Sequence, residues 1–268
     1  MRRIMSIAAA AMAAATVFGD VAGTVINKND ERLKGQIRWS ARDKAYVVTS
    51  GGVELQVKLN ELQALDIPKP AGFDEAVANA SKGSPTASAA AIPVLKKIVD
   101  GYKRLQWDQA AGRYLAQAYI DTGKAEQALA VCQDIINMDA TAAYKGELAP
   151  SYWRALMALG RAAPLSSALE KAAKSGDRFS SGSALIMRGD MLMKEGNESR
   201  DAARKALVDG YLRVVLLYTD EAVAAKLQPE ALFKAARCFE ILSQATRADQ
   251  MRSELKRAYP QSVWATAK

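Results

Sequence analysis

The sequence predicts a mainly α-helical protein: stacked helix-turn-helix units over residues 73–268, preceded by a small antiparallel β-domain at 23–67. Two observations carry this. Apolar residues alternate in short bursts before Pro68 and return at helical spacing after Gly72. One helix-turn-helix pattern then recurs at a period near ~34 residues, giving about five units that must stack to bury a core.

The N-terminus comes first. Met1-Arg2-Arg3, the apolar run Ile4 to Phe18 and the small residues beyond follow the order of a secretory signal peptide, assigned to residues 1–22. Ala8 to Ala15 offers no polar face, and the run is shorter than the ~20 residues that cross a bilayer. Cuts after Gly19 or Ala22 put the mature start between Asp20 and Gly23. The first cysteine is Cys132, so no lipid anchor is expected at the cut, and the chain is expected in the periplasm or envelope of a bacterium without a transmembrane anchor.

Between Gly23 and Ile67, the bursts Thr24-Val25-Ile26, Leu33 to Trp39, Ala45 to Thr49 and Val53 to Val57 are separated by Asn27 to Asp30, Ser40 to Asp43 and Ser50-Gly51-Gly52. These separators suit hairpin turns, so four or five strands are expected. The pattern resembles the small SH3-like or Sm-like β-barrels of bacteria. Pro68 to Gly72 is the linker, because its two prolines remove ladder donors. Cleavage there is expected to release a helical fragment that melts on its own.

The strongest repeat runs from Gln109 to Ala140. Tyr119, Gly123 and Ala128, followed by Leu129 to Asp139, make this stretch similar to the tetratricopeptide repeat (TPR). Gly123 can take the left-handed conformation that ends a helix, and the methyl of Ala128 lets two helices approach closely. Weaker copies cover 73–104 (Gly83, Ala91, Leu95), 148–177 (Trp153, Gly160, Ala172), 182–220 (Gly189, Gly196) and 228–262 (Ala236, Phe239, Ala248, Leu255). The ending Tyr259-Pro260-Gln261-Ser262 resembles the repeat closure of periplasmic TPR proteins, and Thr266-Ala267-Lys268 fits an outer cap.

Chemistry is bounded mostly by exclusion. No histidine and only two cysteines leave no histidine triad, no His-ligated zinc and no Cys-rich metal site. Cys132 and Cys238 lie on apolar faces about three repeats apart, too far for a disulfide, and read as buried small hydrophobes. The pairs Asp30-Glu31, Asp74-Glu75 and Asp220-Glu221 sit at turns or helix starts, where negative charge solvates a turn or complements the helix dipole. No catalytic residue, cofactor or metal is expected, and the chain reads as a non-enzyme.

The formal charge of +8 falls to about +7 when Arg2, Arg3 and Asp20 are removed. It is spread without a block, favouring anionic partners; export disfavours nucleic acid. The TPR resemblance implies a platform that takes an extended or helical segment of another envelope protein on its concave face, lined by the first helix of each repeat. Transferring that frame puts Arg113, Gln117, Arg154, Met157, Asp190, Met193, Phe233 and Arg237 on the row. An acidic peptide with interspersed apolar residues is the expected ligand, and replacing Arg113, Arg154 and Arg237 by alanine is expected to spare the helical melt. The alternative is a glycan or cell-wall binding protein, anionic glycan included, with the β-domain as reader and Trp39, beside Arg38 and Arg42, as its stacking residue.

The export reading has a direct test. Protein released by osmotic shock should begin between Asp20 and Gly23 on N-terminal sequencing; recovery of intact Met1 from cells would refute it.

Overall fold

The computed structural model describes residues 20–266. It is mainly helical, with a small five-stranded antiparallel sheet N-terminal to the helices. Residues 1–19 of the expected signal peptide lie outside the described residues, whereas Val21 and Ala22 already belong to the first strand.

The strands are β1 (Val21–Asn27), β2 (Arg32–Ser40), β3 (Ala45–Ser50), β4 (Val53–Lys58) and β5 (Leu62–Asp66), in the order β4-β3-β2-β1-β5. Turn chemistry sets the register. Gly51 and Gly52 both have positive φ, as the tight hairpin between β3 and β4 requires, and Asn27 Oδ1 accepts from the backbone N–H groups of Asn29 and Glu31 in the hairpin before it. Val25, Ile37, Tyr46, Val48, Val57 and Ile67 form the core.

Leu105 completes that core, although it lies between two helices in sequence. The chain forms two compact units. One ends at Lys69 and regains Asp100–Asp108; the other comprises Pro70–Val99 and the chain from Gln109 onward. In the first unit Tyr46 Oη donates to the Arg104 carbonyl (3.0 Å) and Trp107 Nε1 to the Ile67 carbonyl (2.8 Å). The sequence places one boundary, at Pro68 to Gly72; the chain passes between units again around residues 100 and 108, so a single cut in that linker does not separate them.

The second unit contains α1 (Phe73–Ala80), α2 (Pro85–Gly101), α3 (Trp107–Asp121), α4 (Ala125–Ile136), α5 (Ala149–Ala158), α6 (Ala162–Lys174), α7 (Arg178–Glu195), α8 (Arg200–Ala206), α9 (Leu212–Leu217), α10 (Glu221–Ile241) and α11 (Ala245–Ala258). The first residues of α3 lie in the segment shared with the sheet. A π-turn, Leu207–Tyr211, joins α8 to α9. Helices pack in chain order: α5 on α4, α7 on α5 and α6, α10 on α7 and α9, α11 on α10.

One local device closes each hairpin. Gly83, Gly123, Gly160, Asn197 and Ser243 all have positive φ, and each donates its N–H to the carbonyl three residues back. At i+5 from each stand Ser88, Ala128, Leu165, Ala202 and Ala248, all buried. The device corrects three readings from sequence. Gly196 is not the turn residue of its unit, because it has φ −90° and Asn197 carries the left-handed position. Ser88 and Leu165 occupy the places given to Ala91 and Ala172. The fourth and fifth units begin earlier than expected, α7 at Arg178 and α10 at Glu221.

Gly189 serves packing instead. A methyl there would stand 2.5 Å from the Tyr211 ring, so only glycine lets the π-turn lie against α7.

Ser243 holds a left-handed backbone that costs an L-residue about 1–2 kcal/mol. Ser243→Gly should therefore raise stability by about 1 kcal/mol in urea unfolding, net of the exposed bond from Arg200. An unchanged or lower midpoint would show that the turn is not strained.

Candidate functional site

A cleft of about 220 Å³ is lined by residues of α3, α5, α7 and α10, and a second of about 240 Å³ by α7, α10, Glu198 and Tyr211 of the π-turn. Asp190 lines both. Their walls mix ionic side chains with Phe179, Ile186 and Leu227 in the first and Met193 and Ile241 in the second.

A polar network runs along their walls from helix to helix. Ser88 on α2 donates to Asp121 Oδ2 at 2.7 Å, and Gln117 donates to Asp121 Oδ1 at 2.6 Å. The Gln117 oxygen accepts from Ser151 and from Arg154, each at 3.2 Å. Arg154 Nη2 lies 2.9 Å from both oxygens of Glu230 on α10. Lys234, one turn on, bridges Glu230 (2.7 Å) and Asp190 on α7 (2.6 Å), and Tyr211 Oη donates to Asp190 at 2.8 Å. Some partners stand about one repeat apart, Ser88–Asp121 by 33 residues and Gln117–Ser151, Arg113–Glu147 and Gly146–Ser180 by 34, whereas Gln117–Arg154 are 37 apart, Asp190–Lys234 44 and Arg154–Glu230 76.

Burial makes these charges interdependent. The side chains of Arg154, Glu230, Lys234 and Asp190 retain 26, 12, 18 and 15% of their exposure. Burial of Glu230 works to raise its pKa, but Arg154 and Lys234 overcome it and hold the carboxyl at about 2. The Glu230 carboxylate in turn raises the Arg154 pKa against desolvation. Burial, reinforced by Asp190, pushes the Tyr211 phenol up, so it stays a donor. The thiols of Cys132 and Cys238 are free, buried and pushed by burial to about 12; Cys238 Sγ rests 3.8 Å from Met193 Sδ.

The residues expected from sequence fall as follows. Gln117, Arg154 and Asp190 are joined in the network, and Met193 and Arg237 line the second cleft. Arg113 pairs with Glu147, which also holds Lys226 at 2.7 Å. The Met157 carbonyl accepts from Lys194, and Phe233 packs on Trp264 with ring centroids 5.2 Å apart. Arg237 is exposed, 3.9 Å from Glu198. The arginines are thus not open forks: Arg113 and Arg154 already hold carboxylates of their own chain. The triple alanine variant would strand Glu230, so its helical melt is expected to fall and not to stay unchanged.

Sequence reasoning missed Glu230, Lys234, Tyr211, Glu147 and Ser151. The i,i+4 spacing of Glu230 and Lys234 was the available signal, and two opposite charges already on the row, Arg154 and Asp190, asked for such a pair. Among the described residues no cluster of histidine, cysteine or carboxylate is arranged to hold a metal, and no helix is long and apolar enough to cross a membrane. No protein-family profile matches the sequence, and no curated protein or solved structure is significantly similar to it.

Because the folded pKa of Glu230 lies below its unfolded value, its contribution is present above about pH 4.3 and lost as pH falls toward 2. Acid unfolding should lose on the order of 3 kcal/mol from this group across that window, and Glu230→Gln should flatten the slope there. At pH 7, Arg154→Ala should cost about 3–5 kcal/mol, because it leaves a buried carboxylate half-matched. Equal acid slopes for parent and Glu230→Gln would refute the coupling.

Proposed function

We propose that this chain is an exported TPR-type scaffold of the bacterial envelope, which holds an extended or helical segment of a partner protein in the clefts on the concave face of its helical unit. One observation carries the reading: the first cleft opens on the first helices of successive hairpins, α3, α5, α7 and α10, and the second on two of them, α7 and α10; it is the first helices that line the binding face in TPR proteins. The left-handed turn repeated in each hairpin, at Gly83, Gly123, Gly160, Asn197 and Ser243, and a subset of side-chain bonds at separations of 33 and 34 residues support the repeat assignment, although the turns themselves are spaced 37 to 46 residues apart. Fold alone does not assign function; the clefts are what support the reading here.

Their chemistry redefines the expected ligand. A strongly acidic peptide would have to compete for Arg113, Arg154, Lys226 and Lys234 with carboxylates already bound. A segment that brings apolar or aromatic side chains to Met193, Ile186 and Leu227, with hydrogen bonds at the rim, gains without breaking those pairs. In the β-domain, which we read as a small SH3-like or Sm-like barrel, Arg104 stacks 4.9 Å from the Trp39 ring and Tyr46 meets it edge-on at 4.9 Å. That occupancy weakens the case for Trp39 as a glycan platform. Export is supported by the order of the N-terminal residues, and since β1 starts at Val21, a cut after Gly19 would leave every strand whole.

A photo-crosslinking amino acid placed singly at Met157 or Met193 should trap a discrete envelope protein in living cells. The same probe at Ser167, exposed on the second helix of its hairpin, should trap none. The reverse pattern would move the binding surface to the convex face.

A further inference from the structure

The chain after α11 turns back onto the face that carries the clefts. Tyr259 ends the helix and Pro260 blocks its continuation; Ser262 then caps a short 3-10 turn, Val263–Ala265, by accepting from the Trp264 N–H at 3.2 Å. The turn sets Trp264 on α10. Its ring lies 5.2 Å from Phe233 and 5.8 Å from Lys234 Nζ, the ammonium that joins Glu230 to Asp190. Tyr211 flanks the same ammonium at 6.0 Å. Val263 reaches the turn between α1 and α2, where a methyl on Gly83 would stand 3.9 Å from its Cγ2. The segment therefore touches both the last hairpin and the first.

Little fixes it there. Its hydrogen bonds among the described residues are local: Ser262 N–H to the Tyr259 carbonyl, Ala265 N–H to the Ser262 carbonyl, and Thr266 Oγ1 to the Val263 carbonyl. Trp264 is half-buried and Val263 is 41% exposed. Trp153, by contrast, is fully buried and donates to the Ala143 carbonyl at 2.9 Å. One tryptophan is core; the other is laid onto a surface.

We propose that residues 259–266 are a resident, displaceable occupant of the binding face, and that Trp264 marks an aromatic slot, formed by Phe233 and Lys234, which a partner segment enters with an aromatic side chain of its own. The slot suits such a ring on two counts: Phe233 offers a tilted stacking face, and Lys234 offers a partly desolvated cation. The same contact makes the free chain self-occluded, so a partner must outcompete a tethered segment at high effective concentration. The inference rests on the groove reading above.

The test uses the full chain and a labelled synthetic peptide corresponding to residues 259–268, followed by fluorescence anisotropy. Removing the ring by Trp264→Ala should leave a cooperative melt and make the chain bind the peptide at least about tenfold more tightly than the parent does. The peptide with alanine for its tryptophan should not bind, and adding Phe233→Ala should abolish binding. Equal or absent binding by parent and Trp264→Ala at millimolar peptide overturns the proposal. So does loss of cooperative melting in Trp264→Ala, which would make the ring part of the core. Partner crosslinks at Met157 and Met193 with no peptide binding would leave the groove reading intact and remove only the self-segment. Peptide binding without such crosslinks would do the opposite.

Discussion

The ammonium of Lys234 lies 2.7 Å from Glu230 and 2.6 Å from Asp190, with Arg154 on the far side of Glu230. Two cations and two carboxylates in so dry a place are stable only together, because desolvation of each is large and is offset by its neighbours. These residues come from α5, α7 and α10, so a shift of any one of the helices by an ångström or two would expose an unmatched charge. The network therefore fixes helix register more than it adds net stability. Apolar packing of alanines and leucines between hairpins supplies the drive to stack; the ions decide how.

That demand explains why the backbone is so closely controlled around the site. Asp190 can accept from Tyr211 only because Gly189 lets the tyrosine ring and the π-turn lie against α7. An ordinary α-helical continuation from α8 to α9 would aim position 211 elsewhere, since the wider turn at Leu207–Tyr211 re-phases the side chains that follow. Pro229 precedes Glu230 inside α10 and has no N–H for the carbonyl one turn back. Local irregularity in the two elements facing α7 thus falls where the ionic groups meet.

Much of this was legible. The change of period at Pro68 marked the end of the strands, and Gly83, Gly123 and Gly160 declared their turns because glycine is the usual left-handed residue. Asn197 and Ser243 do the same task without announcing it; Gly196, one position away, drew the eye instead. The frame transferred from the TPR resemblance brought Gln117, Arg154 and Asp190 into view as one row. Their partners were not. Arg154 and Glu230 stand 76 residues apart, and no local pattern says that a cation's counter-ion is already in the chain. Leu105 was hidden for a similar reason: a loop residue between helices carries no period that would assign it to a sheet. Nor does a polar C-terminus reveal that Trp264 lies against Phe233 on α10.

A groove whose charges are matched within the chain discriminates differently from one with open cations. Long-range attraction, which the overall +8 supplies to any acidic neighbour, is screened within about 10 Å at moderate salt and is indifferent to shape. At contact, an anionic side chain offered to Arg154 or Lys234 would gain one pair by breaking another, so its net return is small. Apolar side chains meet no such exchange: they cover Met193 or Ile241 and displace only water. If the clefts hold a partner segment, as proposed, positive charge would gather candidates near the surface and the clefts would select among them by shape and ring placement. On that division, the ion network would keep such a cleft from taking up every acidic chain that the surface field attracts.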